Sequence, residues 1–155
     1  MTHQTDYSLS PELVAEITQN GLQAVPEMLR VLLNNLMQAE RAEYLHADEY
    51  ERTAERLGHA NGFKPKTVKT RVGEVTFAIP QVREGGFYPT ALEKGLRSER
   101  ALTSTLAEMY VMGVSTRKVK AITERLCGFE ISAEQVSRAT AQLDQILQEW
   151  RNRPL

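Results

Sequence analysis

Lys66-Thr67-Val68-Lys69-Thr70-Arg71-Val72-Gly73-Glu74-Val75-Thr76-Phe77-Ala78-Ile79-Pro80 is the stretch that decides how the rest of this 155-residue chain is read. Apolar and polar residues alternate, and Val and Thr predominate, which suits strands better than helix. Val68, Val72, Val75, Phe77 and Ile79 can share one face, with Thr67, Lys69 and Arg71 on the other. Gly73-Glu74 lies between the two runs, so the stretch reads as a β-hairpin of residues 66–72 and 75–79. Pro80 ends the second strand or confines it to a sheet edge. A lone hairpin is marginal in water, so this one must pack on helices or pair with another segment.

Helical patterns lie on both sides. Upstream, Ser10-Pro11-Glu12 reads as a cap, a proline at the first helical position and an acid in the first turn. That helix stops near Asn20 with Gly21 after it, and residues 1–9 read as a polar, frayed tail. A longer helix is expected over 25–47. Its apolar stripe is Val25, Leu29, Leu32, Leu36 and Ala39, at steps of 4, 3, 4 and 3. A second, acidic helical piece is expected over 48–57, before a break at Gly58-His59-Ala60-Asn61-Gly62.

Downstream, Gly85-Gly86-Phe87-Tyr88-Pro89 is a loop and three helices follow. The first covers 99–112, with Leu102, Leu106 and Met109 inward and Gly113 closing it. The second follows Ser115, a good N-cap, has the stripe Val119, Ile122 and Leu126, and ends at Gly128. The third follows Ser132, with Gln135 completing a capping-box pattern. Its stripe is Val136, Ala139, Leu143, Ile146 and Trp150, and Pro154 forbids its continuation. The fold class is therefore mainly α with a small β-hairpin. An acidic helical arm (1–59) precedes a basic hairpin and loop (60–90), and a trihelical helix-turn-helix-like unit (91–155) follows.

Hydrophobic residues make up 41% of the chain and charged residues 25%, as in ordinary globular proteins. Net charge is -1, from 19 basic and 20 acidic side chains, which taken whole argues against a nucleic-acid binder. The layout reverses that argument. Residues 1–60 carry a net of -6, residues 61–125 a net of +6, and residues 126–155 a net of -1. Cys127 is the single cysteine, which excludes a disulfide framework and a cysteine-based zinc site and fits a reducing, cytoplasmic setting. No apolar run is long enough for a membrane span, and the start lacks the basic and apolar regions of a signal peptide.

Three cationic or polar surfaces could meet nucleic acid. Gln135 and Arg138, with Gln142, face away from the stripe of the third helix and have the groups that pair with adenine and guanine edges. An ordinary solvated helix face has the same pattern. Arg117, Lys118 and Lys120 occupy the first turn of the second helix, where the dipole disfavours cations by about 0.3–1 kcal/mol each. With free backbone N–H groups they compose a phosphate site, although long side chains reaching water also tolerate that position. Lys64, Lys66, Lys69 and Arg71 line the hairpin, either as a DNA-facing surface or as lysines that protect a sheet edge.

Catalytic patterns are absent. Glu43-Tyr44-Leu45-His46 has the spacing of a di-iron ligand pair, but that site needs two such motifs and two further Glu. His3 and His59 have no partner at zinc-ligand spacing, and Cys127 has no histidine near it in sequence.

Several runs resemble the N-terminal region of Mutator-type bacterial insertion-sequence transposases. They are Ala60-Asn61-Gly62-Phe63-Lys64-Pro65-Lys66 through Val75, Ile79-Pro80-Gln81-Val82-Arg83, Phe87-Tyr88-Pro89, Leu106 through Val119 with Gly113-Val114-Ser115-Thr116-Arg117, Gln135-Val136-Ser137-Arg138, and Trp150-Arg151-Asn152-Arg153-Pro154-Leu155. The resemblance covers 25–155. It implies binding of double-stranded DNA at the terminal inverted repeats of a transposon, in the bacterial cytoplasm at the nucleoid. It also implies helices that contribute to a homodimer or to pairing with an intact transposase, and no membrane partner. The family's nuclease domain uses an Asp-Asp-Glu triad with magnesium or manganese. The matched segment precedes that domain, so no residue here is assigned to the triad. The chain is expected to need no cofactor and to be inactive in strand transfer by itself. The alternative is an interaction module that regulates an intact transposase.

Overall fold

The computed structural model describes residues 10–83 and 85–153. The polar tail read at 1–9 and the helix stop read at Pro154 lie outside the described residues. The elements are α1 (Pro11–Asn20), a 3-10 turn (Gly21–Ala24), α2 (Val25–Leu45), β1 (Ala60–Thr70), β2 (Gly73–Val82), α3 (Arg100–Val111), α4 (Thr116–Cys127) and α5 (Ala133–Arg151). The protein is mainly helical with one two-stranded hairpin, as read from the sequence. It divides into two compact units: Met1–Lys64 with Ala78–Ala91, and Pro65–Phe77 with Leu92–Leu155. The base of the hairpin belongs to the first and its tip to the second.

In the first unit, α1 begins as read. Ser10 Oγ accepts from the Leu13 N–H at 3.3 Å, and Pro11 takes the first turn. The buried face of α2 is not the stripe that periodicity selects. It is Asn34, Met37, Arg41 and Leu45. Leu32 is 61% exposed and Leu36 42%. The buried face includes two polar residues, each with a partner: Asn34 Oδ1 accepts from the Ala78 N–H at 3.0 Å, and Arg41 lies over the Phe63 ring and reaches Gly62 O. Satisfied polar groups can be buried without large cost, and an apolar count overlooks them.

The helix expected over 48–57 does not form. α2 closes on His46 in the left-handed conformation, with φ 53°. Side chains then take up the following backbone. Glu51 accepts from the Asp48 N–H at 2.8 Å, Thr53 donates to His46 O at 3.2 Å, and Arg56 donates to Gly58 O at 2.7 Å. Such local bonds compete with the helical ladder. Beyond the hairpin, Glu40 accepts from the Thr90 N–H and hydroxyl and from the Ala91 N–H, which fastens 90–91 to α2. Gly85 has φ +100°, where other residues are strained, and a Cβ there would have to displace the Tyr44 hydroxyl.

The hairpin is longer than read, and its turn is earlier. β1 already starts at Ala60, inside the expected break. The turn is Arg71-Val72, not Gly73-Glu74. Thr70 Oγ1 donates to Gly73 O at 2.8 Å and accepts from the Val72 N–H at 3.3 Å, while Gly73 supplies φ 127°. Val72 is therefore exposed, and Thr70 is buried in its place, as are Val68, Val75, Phe77 and Ile79. β2 continues through Pro80. A strand in a two-stranded sheet has one edge without ladder partners, where a missing N–H is tolerated.

In the second unit, a short segment pairs with the open edge of β1. The Lys69 N–H donates to Arg97 O at 2.9 Å, and Lys69 O accepts from the Glu99 N–H at 2.8 Å. The three helices enclose one core of Leu102, Leu106, Ala107, Val119, Phe129, Ile131, Val136 and Ala139. Ser115 caps α4, Gly128 ends it with φ 74°, and Ser132 with Gln135 forms both halves of a capping box on α5. The stripes of α4 and α5 are shorter than read. α4 buries Thr123, whose hydroxyl donates to Val119 O, and leaves Ile122 and Leu126 exposed. On α5, Ile146 and Trp150 are also exposed, Trp150 by 64%. No helix among the described residues is long and apolar enough to cross a membrane.

Candidate nucleic-acid interface

The first turn of α4 presents Arg117 and Lys118 to solvent. Neither has an ion pair or side-chain hydrogen bond among the described residues. Ser115 Oγ accepts the Lys118 N–H, which leaves the earlier N–H groups of the turn without helical partners. Two cations thus stand where the helix dipole opposes them and no acid compensates them. Lys120, two residues further on, pairs with Glu130 at 3.1 Å.

On α5, Arg138 is exposed and bonded to Glu134 one turn back. An exposed pair of this kind contributes about 0–1 kcal/mol. Gln142 is exposed as well. Gln135 departs from the expectation. Its Oε1 accepts from the Ser132 N–H at 3.0 Å and from Lys69 Nζ at 3.3 Å. With both lone pairs taken, the bidentate pairing with adenine is closed to it in this arrangement.

The hairpin cations differ in what they touch. Lys64 is exposed and belongs to the first unit. Lys66 Nζ donates to Glu93 O at 2.9 Å. Lys69 was read on a free strand face, yet it is held by Glu130 O, Gln135 and Glu74 and is only 22% exposed in its side chain. Arg71 sits in the turn rather than on a strand. Glu99 accepts both its backbone N–H and its guanidinium, each at 3.0 Å, while the side chain stays 70% exposed.

Arg97 was missed in the sequence, because residues 91–98 carry no periodicity. It is exposed and joins Lys66, Lys69, Glu74 and Gln135 around a shallow cleft of about 400 Å³. Cys127 is half-buried beside the core, and burial, then the charge of Glu99, pushes its thiol pKa up, the opposite of an activated nucleophile. Among the described residues no three His, Cys, Asp or Glu gather to hold a metal ion. His46 of the Glu-x-x-His run is the left-handed cap of α2.

Together these features define an α-helical protein with a three-helix unit, a hairpin pinned to it, and uncompensated cations on one helix start. The whole chain, residues 1–155, matches the family described as "Transposase, Mutator family", and it belongs to that family. It is 55% identical over 143 residues to the transposase for insertion sequence element IS406 of Burkholderia multivorans, covering 91% of this chain and 37% of that protein. It is 40% identical over 154 residues to the transposase for IS256 in transposon Tn4001 of Staphylococcus aureus, covering 98% and 40%. It is 43% identical over 152 residues to the transposase for ISRM5 of Rhizobium meliloti, covering 98% and 38%. The chain therefore spans 37% to 40% of the length of these relatives.

Proposed function

We propose that this chain binds double-stranded DNA at the terminal inverted repeats of an insertion sequence, as the recognition step of transposition in the bacterial cytoplasm. The observation that carries the reading is the uncompensated pair Arg117 and Lys118 at the start of α4. Each is a phosphate ligand in waiting, with backbone N–H groups beside it. In this reading α4 and α5 act as a helix-turn-helix, with Arg138 and Gln142 meeting base edges. Arg71 and Arg97 reach phosphates in the second unit, and Lys64 and Lys66 are further backbone contacts.

The family's strand-transfer chemistry needs a divalent-metal site, magnesium or manganese on an acidic triad. The described residues bring no such group of ligands together and do not fit one. No catalytic step is assigned to them. The test is a titration of the chain against duplex DNA across salt. Log K should fall with log salt with a slope of about -0.9 per phosphate neutralised.

One observation supports a second reading. The stripe Val25, Leu29, Leu32, Leu36 and Ala39, left off the buried face of α2, lines an open groove with Leu13 and Tyr50. Steps of 4 and 3 are the spacing of a helix-pairing seam. α2 would there meet α2 of a second copy, or of an intact transposase, which a DNA-binding chain could then inhibit. Sedimentation equilibrium tests this: Leu32→Glu should leave a monomer where the unaltered chain is a dimer, and a monomeric unaltered chain would end it.

A further inference from the structure

The geometry points to Lys69 as a positioning residue, one that holds the turn between α4 and α5, and the first turn of α5, in place for DNA rather than touching DNA itself. This rests on the DNA-binding reading above. Lys69 is anchored at its root, because its N–H and C=O are both bonded to the 97–99 segment on the outer edge of β1. Its side chain crosses to the α4–α5 turn. There Nζ donates to Glu130 O at 3.0 Å and to Gln135 Oε1 at 3.3 Å, faces the Glu74 carboxylate at 3.7 Å, and lies 5.2 Å from the Phe129 ring centroid.

An ammonium has three N–H donors and no more. Two are bonded to the protein, and the Glu74 carboxylate lies 3.7 Å from Nζ. A phosphate at Lys69 would have only the remaining donor, and would meet the repulsion of the Glu74 carboxylate there.

Each partner has a structural task of its own. Phe129 is buried in the core of the three helices. Glu130 carries the ion pair to Lys120 of α4. Gln135 closes the capping box of α5 on Ser132. One side chain from the hairpin therefore fixes the exit of α4 and the entry of α5. Arg138 follows Gln135 by three residues on the same helix face. A looser entry turn lets Arg138 wander over neighbouring base pairs, and discrimination suffers before general attraction does.

The test uses the full chain with K69M, Q135M, their double variant and K118M. Each is titrated against a duplex selected by the unaltered chain from a random pool, and against a scrambled duplex. K69M should weaken binding to the selected duplex about tenfold, the equivalent of about 1.4 kcal/mol. Its affinity for the scrambled duplex and its salt slope should stay those of the unaltered chain, whereas K118M should make the slope shallower by about 0.9. The double variant should lose little more than either single one, because both remove the same bond. Should K69M not fold, Q135M alone must show the loss on the selected duplex only. A K69M slope shallower by a whole phosphate, or equal losses on both duplexes, would overturn the proposal. If the unaltered chain binds neither duplex, the DNA reading fails instead. Amide exchange at Ser132 and Gln135 then reads the staple by itself, faster in K69M if it holds the turn and unchanged if it does not.

Discussion

Asn34 Oδ1 accepts a hydrogen bond at 3.0 Å from the backbone N–H of Ala78, so a buried side chain of α2 satisfies a strand amide at the hairpin's base. Asn34→Leu keeps the volume and removes the acceptor. The Ala78 N–H is half-buried, and leaving it unsatisfied costs up to about 1–3 kcal/mol. Urea unfolding should show a loss of that size, and a neutral or stabilising result would mean the amide finds another partner.

Two apolar residues of α2 differ in burial: Met37 lies on its buried face and Leu32 does not. Met37 is fully buried, and Met37→Ala should cost about 2–5 kcal/mol. Leu32 is exposed, and Leu32→Ala should stay within about 0.5 kcal/mol in the monomer. Reversed magnitudes in the same unfolding assay would contradict the orientation of α2.

Glu27 and Arg30 form a fork at the start of α2, with Arg30 Nε donating to Glu27 Oε2 at 2.7 Å. That bond, against a smaller burial effect and aided by the charge of Arg30, holds the Glu27 carboxyl below its ordinary value and raises Arg30. A carboxyl lowered in the folded state adds stability above its unfolded pKa. The contribution is lost as pH falls through the folded value. The pair is largely solvated, so the contribution is about 0.2–1 kcal/mol. An NMR titration should show the Glu27 midpoint rising when Arg30→Ala is made; an unmoved midpoint would remove the pair from the account.

Local chemistry was legible where a single residue type has one physical task. Ser10 with Pro11, Gly21, Ser115, Gly128 and Ser132 with Gln135 all mark helix ends in the sequence, and all do so in the structure. The hairpin was legible from alternation, but its turn was not, because Thr70 uses its hydroxyl to tie Arg71-Val72 and leaves Gly73 as the first residue of β2. The face of α2 was misread because Asn34 and Arg41 are buried with partners that lie far off in sequence. The helix expected over 48–57 failed because Glu51, Thr53 and Arg56 bond to the backbone around them.

For the candidate site, Arg117 and Lys118 could be singled out from the dipole argument alone, and they remain exposed. The protein contacts of Lys69 and Gln135 could not be read from the sequence. The bond between them spans 66 residues, and nothing in either local pattern announces it. Arg97 escaped notice because its segment pairs with β1 through backbone alone, at one bridge.

In the proposed function, the uncompensated cations of α4 hold DNA phosphates. Salt titration of duplex binding by the unaltered chain and by Arg117→Ala with Lys118→Ala measures it most directly. The expected result is a steep negative slope for the unaltered chain, made shallower by about 0.9 for each phosphate contact removed, with the helical circular dichroism unchanged. A flat slope for the unaltered chain, or the same slope with and without these two side chains, would contradict it.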